Sequence, residues 1–473
     1  MPNGGNLETS RSAQFGLLKR VGFDTKPWKD YKGALRPWIC MIHDVAAERP
    51  LCRSPVSILI DDSSPGINPL YYYASTVPPD SSGYHYVSKG GEWYFNTDLT
   101  FHHPIPKTVD PSFVLEFAKW IRETEVKGKT SVVPYAAGLG RIDGEIDGVP
   151  RDQTLTFIHA ISSIQDKFDV SSELLTHTRA VDLDSMKLME VAEHDWSQKQ
   201  TFDTLAPYVT LSLEMLQRAG LDPRGVTSPV DFGAKVEGDY AMAVLEAVKR
   251  VKGSGLAWYF LHVDQESQVV SHKLMYLNRE AREAVVSIVA SVKDPFWSSL
   301  LTDEFEGEWR ARVLEPVLSR DGRRGRIAQQ VASASWIALV THWQTLYSNG
   351  TRYGLHALRE LVRRMNNMLG DRIIWMSCSE VAAYVACLAA SNIRVIDDGA
   401  TIEVSSPFQC RNLTLSFRAT HPVKKLKHDG KVLRRVNGSL SGGTWSSKGG
   451  KVLVSIPRLE ASEGKYVARL GVS

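Results

Sequence analysis

The sequence predicts an α/β fold: a (β/α)7-type barrel with an inserted helical layer, followed by a small C-terminal all-β domain. Three observations predict it. Short apolar runs alternate with amphipathic segments from about residue 56 to residue 390. Seven of those runs have strand length, at 56–60, 130–134, 173–176, 225–227, 256–261, 336–341 and 372–376, which is enough to close a barrel. From about residue 393 the texture changes to short β-prone runs at 401–404, 413–417, 452–456 and 466–470, separated by Gly, Asn and Ser. The expected units are an N-terminal extension packing on the barrel (1–50), the barrel itself (51–391) and a β-sandwich-like domain (392–473).

The helices are read from periodicity and caps. Asp110-Pro111 is an N-cap followed by proline at the first helical position, and Phe113, Phe117 and Ile121 then recur on one face. Further helices are expected over 154–167, 204–219, 240–251, 279–292 and 355–369, with Gly370 as a left-handed cap to the last. The stretch 235–330 is longer than one βα unit requires and is expected to contain an inserted helical layer over the barrel. Its Arg320-Asp-Gly-Arg-Arg-Gly-Arg326 run reads as an exposed loop, and Lys424-Lys425-Leu426-Lys427 as a solvated strand or turn.

Bulk properties narrow the function classes. Of 473 residues 43% are apolar, so a full core can be buried, and 56 basic against 53 acidic residues leave a formal charge of +3. So small a charge over so large a surface argues against nucleic acid and anionic membranes as partners, and favours neutral ones such as sugars. No apolar run approaches the roughly 20 residues of a membrane span. Residues 1–15 are polar and lack the apolar core of a secretory leader, and the five cysteines lack C-x-x-C spacing, so a cytoplasmic protein with reduced thiols is expected. The oligomeric state is not encoded in any pattern seen.

Chemistry concentrates at strand ends. Two carboxylates directly after Ser57-Ile-Leu-Ile60, Asp61 and Asp62, cannot both be buried without a cation or hydrogen bonds. They are therefore placed at the C-terminal end of the strand, where barrels hold their active sites. His177 ends the Glu173-Leu-Leu-Thr-His run, and His194 follows in Glu193-His-Asp-Trp-Ser-Gln198. Two histidines plus Asp62 would make a two-nitrogen, one-oxygen set with open positions for a divalent metal, zinc or a similar ion. His342 closes the most apolar strand and suits a general acid, with His262 as its competitor. Tyr72, Trp196 and Trp343 are candidates for stacking on a sugar ring.

Taken in order, these motifs resemble the polysaccharide deacetylase family with its NodB-type barrel. Ile60-Asp61-Asp62 looks like the first motif of that family, Glu173 to Thr178 like the second, and Leu339-Val-Thr-His342 with Ser379-Glu-Val-Ala-Ala-Tyr384 like the last. The Arg-Pro-Pro-Tyr-Gly-like motif is echoed by Thr227 to Gly233, which brings in Asp231 as a substrate contact but offers no arginine. The family's second histidine would fall at Val181 counted from His177. The resemblance implies Asp62, His177 and His194 as metal ligands, Asp61 as base, His342 as acid, and removal of an acetyl group from a sugar.

Two other readings remain open. On the same barrel Asp61 or Asp62 could pair with a second carboxylate as a glycoside hydrolase or lyase. Candidates are Asp143, Glu145 and Asp147 in the Gly-rich loop after the second strand, which is otherwise a solvated turn or a calcium loop. A catalytically silent carbohydrate-binding relative would keep the aromatic platform alone.

Overall fold

The computed structural model describes residues 40–76, 85–89, 92–96, 104–396, 399–462 and 464–472. Its centre is a run of seven parallel strands: β1 (Ser54–Ser63), β2 (Gly128–Val132), β3 (Phe168–Ser172), β4 (Pro223–Thr227), β5 (Leu256–Val263), β6 (Glu283–Ala290) and β7 (Ile337–His342). In space they follow the order β6-β5-β4-β3-β2-β1-β7, with Lys273–Asn278 antiparallel outside β6 and the short strand Ile373–Trp375 also paired to β1. Just past the end of β6, Val292 bridges in parallel to Leu339 of β7, with hydrogen bonds of 3.1 Å from Val292 N–H to Ala338 and 3.0 Å from Val340 N–H to Val292. The two ends of the run thus meet.

β1 shows why the apolar run is a strand. Val56, Ile58 and Ile60 face a helical layer that includes Phe113 and Phe117, while Leu59 faces the other way, toward Phe260, Ala338 and Val340. Both faces are dry, as in a parallel sheet covered on each side. Gly128 opens β2 because a Cβ there would lie 1.8 Å from the Ile58 carbonyl oxygen.

The covering helices are α1 (Pro111–Arg122), α2 (Arg151–Ser162), α3 (Phe202–Arg218), α4 (Glu237–Lys252) and α5 (Tyr353–Leu369). The Asp110 side chain accepts from Ser112 N–H at 2.8 Å, and Phe113, Phe117 and Ile121 are fully buried. A sixth helix, α6 (Cys378–Ala390), lies between the central strands and the C-terminal β region.

That region forms two sheets. One contains Arg411–Ala419, Lys451–Arg458 and Thr444–Lys448, and takes the early strand Ile42–Glu48 as its edge. The other contains Asn392–Ile396, Thr401–Ser406, Lys465–Val472 and Leu426–His428. Leu426 is buried and its lysine neighbours Lys424 and Lys425 are exposed. All five cysteines are free thiols.

Three local expectations need correction. Residues 279–292 contain β6, not a helix: Val285, Val286, Ile288 and Val289 are buried on both faces, and a short buried run has no period that separates strand from helix. Residues 173–176 lie beyond β3, whose alternation is masked by the inward-facing polar residues Asp169 and Ser171. The segment 235–330 supplies α4, β5 and β6 together with the helices Glu306–Leu314 and Arg326–Ala332. Gly370 has φ −49° and continues into a short 3-10 turn instead of a left-handed cap.

Candidate functional site

The strand ends bring together a buried set of charged groups. Asp61, in register with His342, points inward like Leu59 and meets Lys129 of β2, a fully buried lysine that also donates to Thr227 of β4 at 2.7 Å. Lys129 further rests 5.1 Å from the centre of the Phe260 ring. A charged side chain in the middle of strand Gly128–Val132 could have been noticed as a sequence signal, because lysine is almost never fully buried unpaired.

Asp62 turns out of the strand with φ +65°, a left-handed conformation that aspartate tolerates better than most residues. Its N–H donates to Glu173 at 2.6 Å, its Oδ1 lies 2.8 Å from His177 Nε2, and its Oδ2 accepts from Gln344. Glu173 accepts from Ser131 as well, and its other oxygen is 3.8 Å from His177 Nε2. One ligand atom each of Asp62, Glu173 and His177 lies within 4.8 Å of the others. This trio could hold a cation, although the Asp62–His177 contact would have to open, since tetrahedral ligands ~2.1 Å from an ion sit more than ~3 Å apart.

The loop carrying Glu173 and His177 is pinned by Glu193. The carboxylate of Glu193 accepts from the N–H groups of Leu175 (2.9 Å), Thr176 (3.1 Å) and His177 (2.8 Å), and from the Tyr208 hydroxyl (2.7 Å). Leu174 and His177 hold positive φ of 48° and 62° under this restraint. Such conformations persist where the surroundings over-determine them.

His342 is backed by Asp294, four residues past β6. Asp294 Oδ2 lies 2.8 Å from His342 Nδ1 and accepts from His342 N–H (3.0 Å) and the Thr345 hydroxyl (2.8 Å). The Trp297 ring lies 4.7 Å from the imidazole. With Nδ1 committed, Nε2 is the nitrogen left to work.

The electrostatics split these groups. Burial first, then the Asp62 and Asp61 carboxylates, push Glu173 up to about 8. Burial alone would raise Asp62 too, but the His177 imidazolium and the hydrogen bonds from His177 and Gln344 hold it well below the usual carboxylate range. Burial opposes charge on His177 and His342, and nearby carboxylates outweigh it, lifting His177 to about 10 and His342 to about 9. Burial raises the Glu193 carboxyl, against its four donors.

Several expected site residues are elsewhere. His194 stands outside the Asp62 group: its ring stacks at 6.3 Å on Tyr73, whose ring is in turn 6.0 Å from His177. Glu193 and His194 are consecutive on one helical turn, so when Glu193 faces the loop its neighbour points about 100° away. Trp343 is fully buried core, 4.7 Å from Phe113 and 5.3 Å from Phe117, and offers no face to a ligand. Trp196 packs 4.5 Å from Tyr208, and Tyr72 lies 5.2 Å from Tyr71 beside a small apolar cluster. Asp231 is exposed, its carbonyl accepting from Gln198. His262 contacts Glu237 at 2.7 Å on the helix side of β5, because a bulge at Leu261 shifts its register. Asp143 is neutralised by Arg141 and Arg218, each at 2.7 Å. The sequence also offers the His102-His103 pair as a group that could reach the mouth of the barrel, with a surface loop as its more ordinary place, and both residues lie outside the described ones.

No family model matches the chain, and no curated protein does. Solved structures do match. An α-fucosidase from Thermotoga maritima is 12% identical over 76% of this chain and 79% of that one, with a TM-score of 0.29. A glycoside hydrolase family 30 subfamily 8 xylanase from Clostridium acetobutylicum is 9% identical over 77% and 93%, with a TM-score of 0.24. The catalytic domain of a family 30 xylanase from Talaromyces cellulolyticus is 7% identical over 91% and 99%, with a TM-score of 0.25. At these scores and identities the likeness says nothing of the chemistry. The resemblance to polysaccharide deacetylases is nevertheless corrected: no family model supports it, and the ligand group it required lacks His194, with Glu173 standing beside Asp62 and His177 instead.

Proposed function

We propose that the protein is a glycosidase-type hydrolase of carbohydrates, in which the meeting ends of the central strands close a seven-stranded barrel with its reaction centre at Asp62. The observation that carries this reading is a pair of carboxyl groups, Asp62 at the end of β1 and Glu173 just past the end of β3, with oxygens within 4.8 Å and environments that drive their proton affinities apart. Such a split assigns the roles of acid and base in enzymes that use two carboxyl groups.

Asp62, ionised, steadies or attacks the anomeric carbon as positive charge develops there. Glu173 holds the proton for the departing oxygen. A close pair fits the roughly 5–5.5 Å separation of retaining enzymes better than the roughly 6.5–9.5 Å of inverting ones. Asp61 is held in a buried ion pair with Lys129 beneath the site, and His342 carries a second proton near the rim with Asp294 behind it. The further carboxylate is thus Glu173, in place of Asp143, Glu145 or Asp147.

The test uses leaving groups. Glu173→Gln should lower kcat/KM on natural glycans by at least about 100-fold while keeping most of kcat/KM on a dinitrophenyl glycoside, whose leaving group needs no proton, and added azide should restore the turnover lost when Glu173 no longer activates water. Asp62→Asn should lose both. Equal losses on the two substrates in Glu173→Gln would remove Glu173 as the acid. Wild-type protein that binds glycans but releases no sugar would instead favour a binding protein.

A further inference from the structure

Next to the loop that carries Glu173 and His177 is an open cavity of about 310 Å³, lined by Tyr135, Gly140, Arg141, Asp143, Glu145 and Met186. That volume is at the lower end of the roughly 300–1,000 Å³ usual for small-molecule sites. We propose that this cavity is a subsite for an additional neutral sugar unit, so that the substrate is an oligosaccharide or polysaccharide chain instead of a single glycoside. The inference rests on the glycosidase reading for the direction of the chain, and on the cavity's own side chains for the ligand.

Position comes first. Tyr135 follows β2 by three residues, and its N–H donates to the Leu175 carbonyl at 2.9 Å, while Ala137 N–H donates to Thr176 at 3.0 Å. One wall of the cavity is therefore hydrogen-bonded to the loop that places Glu173 and His177, at about one strand spacing, ~4.8 Å. Met186, at the turn of the hairpin formed by Arg179–Asp182 and Lys187–Ala192, closes the other side.

The lining suits a sugar. Tyr135 and Met186 give an apolar floor for the C–H face of a pyranose. Beside them Arg141 grips Asp143 through two parallel hydrogen bonds, Nε to Oδ1 at 2.9 Å and Nη2 to Oδ2 at 2.7 Å, and Arg218 adds a third at 2.7 Å. These pairings hold the Arg141 guanidinium in place at the cavity wall and offset its charge, so the wall presents fixed polar groups without a net charge large enough to select an ion. Glu145 is exposed at the edge as a further acceptor. The shape is preset by Gly140, where φ is +145° and a Cβ would lie 2.1 Å from the Glu145 carbonyl oxygen.

The experiment measures binding and hydrolysis separately. Cello-, xylo- and manno-oligosaccharides of one to six units are titrated calorimetrically into the full chain, into Tyr135→Ala and, as a milder change at the exposed edge, into Glu145→Gln. In at least one series, affinity should rise tenfold or more between one unit and four. Tyr135→Ala should remove that rise and leave single-unit binding unchanged, with Glu145→Gln reducing it by a smaller factor. Length-independent binding, no binding in any series, or a rise that survives in both variants overturns the subsite. Tyrosine-dependent binding without sugar release would sink the hydrolase reading and leave the subsite standing. Hydrolysis unaffected by either variant at every chain length would do the reverse.

Discussion

His177 Nε2 and Asp62 Oδ1 meet at 2.8 Å beneath the mouth of the central strands, with side chains only 12% and 5% exposed. Removing one partner of a buried pair strands the other, at a cost of roughly 3–5 kcal/mol. His177→Ala should accordingly lower the unfolding free energy by that order, read as a lower denaturation midpoint at an unchanged slope. A loss below about 1 kcal/mol would show that the pair is solvated. Asp62→Asn in the same background should then cost little more, a coupling that a double-mutant cycle reads directly.

Proton linkage gives a pH window. Glu173, held up to about 8 from an ordinary 4.5, and His177, lifted to about 10 from 6.5, both bind more protons in the folded chain than in the unfolded one. The His177 contribution to stability is complete below pH 6.5 and is lost as the pH rises toward 10. Glu173 acts with the same sign from about pH 4.5 to 8. Stability should therefore fall between pH 6.5 and 10. Activity on natural glycans should fall over an alkaline limb near pH 8 that kcat/KM on an activated glycoside does not show. A limb that persists unchanged on the activated glycoside assigns it to another group.

Glu193 tests the loop. Each buried donor left without an acceptor costs ~1–3 kcal/mol, and Glu193→Ala leaves the three N–H groups and the Tyr208 hydroxyl without theirs. The variant should be destabilised well beyond Tyr208→Phe, and hydrogen exchange should accelerate at Leu175, Thr176 and His177 before the rest of the chain. Uniform exchange across the protein would deny the loop a local anchor.

Asp294 should set the state of His342. Asp294→Asn removes the largest contribution favouring the imidazolium, so the His342 titration, lifted to about 9 in the native chain, should move down toward 6.5 in nitrogen chemical shifts. No movement would mean that Asp61 and Asp62 alone hold the proton.

Metal removal separates chemistries at the same trio. The proposed reaction uses side chains only, so dialysis against a chelator should leave sugar release intact. Activity lost on chelation and restored by zinc would place an ion among Asp62, Glu173 and His177 and displace the two-carboxyl mechanism.

Much of this was written locally. The Ser57-Ile-Leu-Ile60 run followed by two aspartates could only be a buried strand delivering charge at its end, because the apolar alternation and the cost of dry carboxylates are local properties. The Asp110-Pro111 start of α1 and the β texture after residue 392 were legible for the same reason. Which groups meet Asp62 was not. Glu173 and Glu193 look alike in the sequence, yet one faces Asp62 and the other pins backbone, and His194 and Trp343 sit beside useful residues but point elsewhere. Pairing of β1, β2 and β3, with Asp294 carried in from the far end of the strand run, decided the partners, since contacts across 48 to 282 residues depend on register and the direction of each side chain. The sequence by itself determined where the carboxylates stand; only the tertiary structure decided which of them keeps its proton, because that depends on burial and on charges contributed by distant strands.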